Sequence, residues 1–210
     1  MAVTYPLTMP ATPNFSRASF KLDSNITLFE SPLTKTEQVL ERAGARWSAV
    51  YSLPAMKRGA ETAAWTAFFI SLRGRLGTFL AFDPHNAVAR GSVPGTPKVM
   101  GASQTGNSLV TDGWGTNQSN ILLPGDYIQL PTGPDSKRLH MVVEAASSDG
   151  VGSGEATLEI EPALRESPAD DAAITVVNAR VVMRLLSNTV SWDEGLAEFQ
   201  QFSFAAQEVL

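Results

Sequence analysis

The residues able to do proton or metal chemistry are few in this chain. There are two histidines, His85 beside a Pro- and Gly-rich stretch and His140 inside a strand-like run, and there is no cysteine. Neither histidine has a second ligand at a metal-binding spacing such as His-x-x-x-His, and the lack of thiols excludes cysteine nucleophiles, disulfides and cysteine-ligated metals. We interpret both histidines as structural or surface residues, and we expect no metal site and no cofactor.

Carboxylates and glycines offer little more. Asp170 and Asp171 are adjacent, and adjacent side chains on a strand point to opposite faces, so a loop is favoured over a cation site. The glycines at 150, 152 and 154 lack the Lys-Ser/Thr of a phosphate loop and indicate a hairpin tip, and no Gly-x-Ser-x-Gly elbow exists. A carboxylate pair for glycoside hydrolysis stays open, because any acidic chain offers pairs. The sequence therefore predicts that the protein is not an enzyme.

Aromatic side chains divide into two groups. Trp114 and Tyr127 are the candidates for contacts with a sugar or receptor in the acidic middle of the chain, so a carbohydrate- or receptor-binding module remains the alternative function. The others follow the periods of the strands and the helix that carry them, which predicts core packing. The predicted core residues, with one leucine, are Trp47, Tyr51, Trp65, Phe68, Phe69, Leu72, Phe202 and Phe204.

Charge argues against a nucleic-acid-binding protein. The chain has 16 Lys and Arg against 21 Asp and Glu, a net charge of −5 with no basic run to hold a phosphate backbone. Ten basic and six acidic residues lie in 1–90, four and eleven in 91–177, and two and four in 178–210. No leader-like N-terminus and no apolar run of membrane-spanning length is visible, so we expect a soluble compartment and no membrane insertion.

The first part of the chain is predicted to form strands and one helix. Short strands are expected at 19–23, 26–30, 36–42, 46–53 and 78–82. Between them, over residues 57–73, Trp65, Phe68, Phe69 and Leu72 recur at i, i+3, i+4 and i+7, which is typical of a helix with one apolar face, and Gly74 follows as a stop. This helix should lie on a sheet.

The middle and the end of the chain predict a discontinuous arrangement. Residues 85–106 are rich in Gly and Pro, and beyond them short strands are expected at 108–111, 120–123, 126–130, 138–145, 156–161 and 173–177, which suggests a small OB-like barrel. Strands at 181–186, 189–192 and 201–208 then need a sheet to join. We therefore predict a mainly β protein, with one domain from residues 1–88 and 178–210 and a second domain, 89–177, inserted into it.

Particular strings resemble tail-tip proteins of tailed bacteriophages. Residues 46–54, 64–68 and 72–79, the last reading Leu-Arg-Gly-Arg-Leu-Gly-Thr-Phe, together with Asp83-Pro84, are similar to the N-terminal domain of those proteins. Residues 124–130, 139–143 and 160–165 look like their inserted barrel. Residues 202–210 resemble the strand that closes the first domain.

The resemblance to distal tail proteins implies a specific role. In that family a tail-tube-like β-barrel carrying a helix forms a hexameric ring, which joins the tail tube to the tip hub, and an OB-like domain is inserted in it. The implied partners are other copies of the chain, the tail tube protein and the hub proteins, with DNA passing through the lumen without specific binding. The implied location is the phage tail, after synthesis in the host bacterial cytoplasm. An acidic wall would suit such a conduit.

Overall fold

The protein is mainly β in a computed structural model that describes residues 3–131, 137–191, 193–194 and 199–210. Its first part contains β1 (Leu7–Thr8), β2 (Arg17–Asp23), β3 (Ile26–Glu30), β4 (Glu37–Glu41), β5 (Arg46–Ser52), β6 (Met56–Lys57), α1 (Ala60–Leu72) and β7 (Thr78–Ala81). A short 3-10 helix (Pro84–Asn86) leads to β8 (Lys98–Val99), β9 (Gly106–Asp112), β10 (Tyr127–Pro131), β11 (Lys137–Val142) and β12 (Ala156–Leu164). The last part has β13 (Val181–Leu185), β14 (Asp193–Glu194), β15 (Phe199–Gln201) and β16 (Ser203–Glu208).

The largest sheet joins both ends of the chain. Its strand order is β1-β7-β13-β16-β5-β2, with β1 parallel to β7 and the other pairs antiparallel. Ala206 of β16 lies opposite Leu185 on one side and opposite Ala49 on the other. The last strand of the chain is therefore a central strand, flanked by partners that precede it by very different distances in the sequence.

Helix α1 lies on this sheet through its aromatic face. The ring of Phe69 is 5.0 Å from that of Phe204 and 5.6 Å from that of Phe202, centroid to centroid. All eight residues predicted for the core are buried. The helix begins at Ala60 and not at residue 57 as predicted. Met56 and Lys57 form β6 and pair with β15, so their backbone takes part in a sheet.

A second sheet comes from the middle of the chain, in the order β10-β11-β12-β9-β8. The strands expected at 120–123 and 173–177 form only isolated bridges, such as Leu122 with Ala146 and Gln129 with Thr175. Their apolar side chains, Leu122 and Ile174 among them, are nevertheless buried. The hydrophobic pattern thus predicted correctly that these side chains are buried, but the segments that carry them are not continuous strands.

The chain leaves the first sheet and returns to it at one place. Ala81 of β7 lies opposite Val181 of β13, and the two connecting segments run side by side, with Val88 bridging to Val177. The backbone N–H of Asn178 donates to the Ala87 carbonyl at 2.6 Å. Strands β8 to β12 therefore come between β7 and β13 in the sequence, although β7 and β13 are direct neighbours in the first sheet.

Other predicted elements differ in detail. The strand expected at 201–208 is interrupted at Phe202, whose carbonyl accepts from the backbone N–H of Leu53 at 2.9 Å. Residues 189–191 form no strand, and Trp192 lies outside the described residues. Within the described ranges, no helix has the length and apolar character needed to cross a membrane.

Candidate functional site

The two histidines have different surroundings. His140 is buried, and its Nδ1 donates to the carbonyl oxygen of Pro162 at 2.6 Å. Burial lowers the pKa of His140 to about 4, so the ring is neutral near pH 7. His85 is exposed, and its backbone N–H donates to the side chain of Asp83. His140 therefore serves as a hydrogen-bonded core residue.

The adjacent carboxylates and the glycine cluster serve loop structure. Asp170 Oδ1 accepts from the backbone N–H of Gly101 at 2.7 Å, and Asp171 lies 3.7 Å from Lys98. Asp149 Oδ1 accepts backbone N–H groups on both sides of the glycine-rich turn. In the described part of the chain, no group of three or more His, Asp and Glu residues is placed to hold a metal ion.

Trp114 and Tyr127, the two predicted candidates for ligand contacts, are both buried, which does not favour that role. Trp114 is 0% exposed, and its indole Nε1 donates to Thr111 Oγ1 at 2.8 Å inside the core of the second sheet. Tyr127 is 5% exposed and packs edge-on against Trp47, with 5.5 Å between ring centroids. The sequence shows that these rings lie on or near strands, but only the packing of the sheets shows that their faces are covered.

A buried polar site joins the two sheets at Glu208. This last residue of β16 has a side chain that is only 1% exposed. Its Oε1 accepts from Arg165 Nη1 at 2.9 Å and from Arg138 Nη1 at 3.3 Å. Its Oε2 accepts from Arg165 Nη2 at 3.1 Å and from the backbone N–H of Trp47 at 3.0 Å. Both arginines belong to the part of the chain that carries the second sheet, so this carboxylate binds the two sheets together.

Trp47 also connects the two sheets at this junction, through a hydrogen bond and apolar packing. Trp47 Nε1 donates to the carbonyl of Leu139 at 2.8 Å, and the side chains of Tyr127 and Leu139 belong to the same buried cluster as Trp47.

Sequence reasoning missed Glu208, although a signal was present. Glu208 shares the inward-facing alternation of Phe204 and Ala206, and a carboxylate at a position of that face needs a cationic partner.

Asp126 forms a second buried carboxylate site, with a structural function. Its Oδ1 accepts from the backbone N–H of Arg90 at 2.9 Å, and its Oδ2 accepts from Gly91 at 3.0 Å and from Leu123 at 2.8 Å. The guanidinium Nε of Arg90 is 3.4 Å from Oδ1. The carboxylate therefore holds the segment that enters the second sheet against the turn before β10.

A cleft of about 510 Å³ lies beside the first sheet, between the N-terminal segment and residues 80–87. Its lining includes the apolar side chains of Met9, Phe15 and Phe82, and its titratable groups are His85 and Arg180. A general base and a nucleophile within hydrogen-bond reach of each other are not among these lining residues. The cleft can hold an apolar group, and it offers no acid–base pair.

No protein-family model matches the chain, and no curated protein matches its sequence. Its function is therefore inferred from its own residues and geometry.

Proposed function

We propose that the protein is a structural component of a bacteriophage tail tip, of the distal-tail type, which forms a ring that joins the tail tube to the tip or hub complex. The observation that carries the proposal is the interrupted sheet. Strands β7 and β13 are neighbours, yet the whole second sheet lies between them in the sequence. A tail-tube-like barrel with a packed helix and an inserted OB-like barrel requires this layout.

The chemistry of the candidate sites supports a structural role. His140, Glu208 and Asp126 are buried and are engaged in hydrogen bonds that hold segments of the chain together. Trp114 and Tyr127 are the two aromatics that would support a glycan- or receptor-binding module, and their burial removes that support. Side chains engaged in this way hold segments of the chain together, as a structural subunit of an assembly requires.

The distribution of charge suits a ring. Residues 1–90 carry ten basic and six acidic side chains, whereas residues 91–177 carry four and eleven. Mixed signs allow identical subunits to meet, while acidic inserts in mutual contact would repel each other. We therefore place the discontinuous barrel in a hexameric ring with the inserts apart from one another, the tube and hub proteins on its two sides, and DNA passing through without specific contacts.

The experiment that tests this role is imaging of tailed particles that lack residues 89–177, with the ends joined by a short linker. Because the deletion removes Arg138 and Arg165, it should be combined with Glu208→Gln to avoid a buried unpaired carboxylate. We expect the ring to persist at the end of the tube and its outer density to disappear. Location of the protein in the capsid, or loss of the ring while the remaining barrel stays folded, would contradict the proposal.

A further inference from the structure

Strands β3 and β4 form a hairpin that stands outside the large sheets. They pair only with each other, from Ile26 opposite Glu41 to Glu30 opposite Glu37. At the tip, Leu33 is 92% exposed. An isolated two-stranded hairpin is marginal in water, and one with several exposed apolar side chains calls for a partner.

One face of this hairpin has an ordered arrangement of apolar and acidic side chains. Residues directly opposite each other on an antiparallel pair share a face, so Ile26, Leu28 and Val39 lie on one face, with Glu41 at the base end and Glu30 and Glu37 at the tip end. We call these six residues the hairpin face. Glu30 is paired with Lys35 at 2.7 Å. No basic side chain of the described residues forms an ion pair with Glu37 or Glu41. Both carboxylates are therefore available to a cationic partner.

The base end of the hairpin face is also close to another carboxylate. Glu161, which lies on β12, lines the same cleft as Glu41, and burial together with the charge of Glu41 raises the pKa of Glu161. Arg42 and Arg165 line this cleft as well, and Arg165 is bound to Glu208.

The second unpartnered surface is the outward side of α1. Its exposed residues include Ala63, Ala67 and Ile70, and a shallow groove of about 760 Å³ follows them. The helix carries one charged residue, Glu61, whereas a helix that faces water on one side normally has a polar stripe there. We call Ala63, Ala67 and Ile70, with Arg58 before the helix and Arg73 after it, the outer helix face.

Basic residues lie at both ends of the outer helix face. Lys57 and Arg58 precede α1, and Arg73 and Arg75 follow it, and all four are exposed. Among the described residues, none of them forms a salt bridge within the chain. The outer helix face is therefore apolar in its middle and basic at its ends.

We propose that the hairpin face of one copy packs lengthwise on the outer helix face of the next copy. This inference rests on the proposed ring and names the contact that builds it. The two surfaces match in charge, because acidic ends meet basic ends around an apolar middle. They also match in length, since five strand residues extend about 17 Å and thirteen helical residues extend about 20 Å.

The two surfaces differ from each other, which determines the type of assembly. A contact between unlike surfaces is heterologous, so each copy uses its hairpin on one neighbour and its helix on the other. Such contacts close into a ring when the rotation between neighbours closes, as the proposed hexamer requires, and a closed ring leaves neither of these two surfaces exposed. A two-fold dimer would instead require a self-complementary surface.

The test uses the full-length purified protein, whose lack of cysteine allows single thiols to be placed at will. A tagged Ala67→Cys variant is mixed with an untagged Val39→Cys variant and treated with a short thiol crosslinker. Leu40→Cys is the matched control, because Leu40 is adjacent to Val39 but points to the opposite face of the hairpin. Leu28→Cys is a second test position on the same face as Val39. It should crosslink as Val39→Cys does, which would show that the result does not depend on one substitution.

We expect about tenfold more heterodimer with Val39→Cys than with Leu40→Cys, because docking raises the effective concentration of one thiol near the other. Reversing the charge at both ends of the outer helix face with Lys57→Glu, Arg58→Glu, Arg73→Glu and Arg75→Glu should lower that yield. Glu37→Arg and Glu41→Arg on the Val39→Cys copy should restore it, whichever way the hairpin lies along the helix. Equal yields for residues 39 and 40, or no restoration, would overturn this contact.

The two proposals fail in different experiments. A tail ring seen by imaging, in which residues 39 and 67 do not crosslink, would contradict the hairpin–helix contact and leave the tail function standing. The expected crosslinks in a protein that is absent from the tail would contradict the tail function and leave the contact standing.

Discussion

Arg165 and Glu208 form a two-point ion pair across the junction of the two sheets, with Nη1–Oε1 and Nη2–Oε2 distances of 2.9 and 3.1 Å. The parallel geometry of the guanidinium matches the carboxylate, which makes this type of contact both strong and directional. Arg138 contributes a further bond to the same carboxylate, and the pairs are largely removed from solvent. The orientation of the second sheet on the first therefore depends on a small number of side chains.

Loss of this ion pair should cost more stability than loss of a surface pair. Arg165→Ala leaves the Glu208 carboxylate buried with one fewer cation, and removing one partner of a buried pair costs about 3–5 kcal/mol. The control is Lys35→Ala, which breaks the exposed pair with Glu30 at 2.7 Å and should cost less than about 1 kcal/mol. Urea unfolding of both variants gives the comparison, and equal losses would show that the junction does not depend on Arg165.

His140 should make the protein less stable as the pH falls from about 6.5 to about 4. Its pKa in the folded chain is about 4, below the ordinary value of 6.5, so in this window the unfolded chain binds the extra proton and the folded chain does not. Stability is therefore complete above the ordinary pKa and declines below it, with a slope of at most about 1.4 kcal/mol per pH unit.

Unfolding free energies at pH 7 and pH 5 measure this effect. His140→Gln should show a smaller loss between the two pH values than the unchanged protein, because the titrating group is gone. His85→Gln serves as the matched control, since His85 is exposed, and should keep the full loss. A His140→Gln variant with the same pH dependence as the unchanged protein would contradict this assignment.

Truncating side chains on the buried and the exposed side of α1 should have different effects on stability. Trp65 is fully buried, and its Nε1 donates to the Thr12 carbonyl at 2.9 Å. Trp65→Ala should cost about 3–5 kcal/mol and leave little soluble protein. Ile70→Ala, on the outer helix face of the same helix, should change the melting temperature of the isolated chain little, because Ile70 is largely exposed. Similar effects of the two substitutions would mean that the helix is oriented differently.

Asp126 should protect the entry to the second sheet from proteases. Its carboxylate accepts the backbone N–H groups of Arg90 and Gly91, so the bond between them is held against the turn before β10. We expect trypsin to cut this bond slowly in the unchanged protein and about tenfold faster or more in Asp126→Ala, as loss of these bonds favours local opening. Asp149→Ala, which opens a different turn, is the control and should leave cleavage after Arg90 unchanged.

The sequence alone determined the local structure and most of the core. The i, i+3, i+4 spacing of Trp65, Phe68 and Phe69 predicted a helix with an aromatic face, and the alternation of Phe202 and Phe204 predicted inward-facing positions near the end of the chain; all five residues are buried. These inferences hold because the side-chain period of a helix or strand is a property of the local backbone. The mainly β class follows from the same periods.

Only the tertiary structure decided which of these faces are covered and which charges are paired. Trp114 and Tyr127 are buried because neighbouring sheets and loops lie over them, and no local pattern records what lies over a strand. Glu208 is neutralised by Arg138 and Arg165, which are 70 and 43 residues away in the chain. The start of α1 is likewise set by β6, whose partner β15 follows it by more than a hundred residues. Contacts of this kind depend on the folded path of the chain, so the periodicity that specifies each element cannot specify its partners.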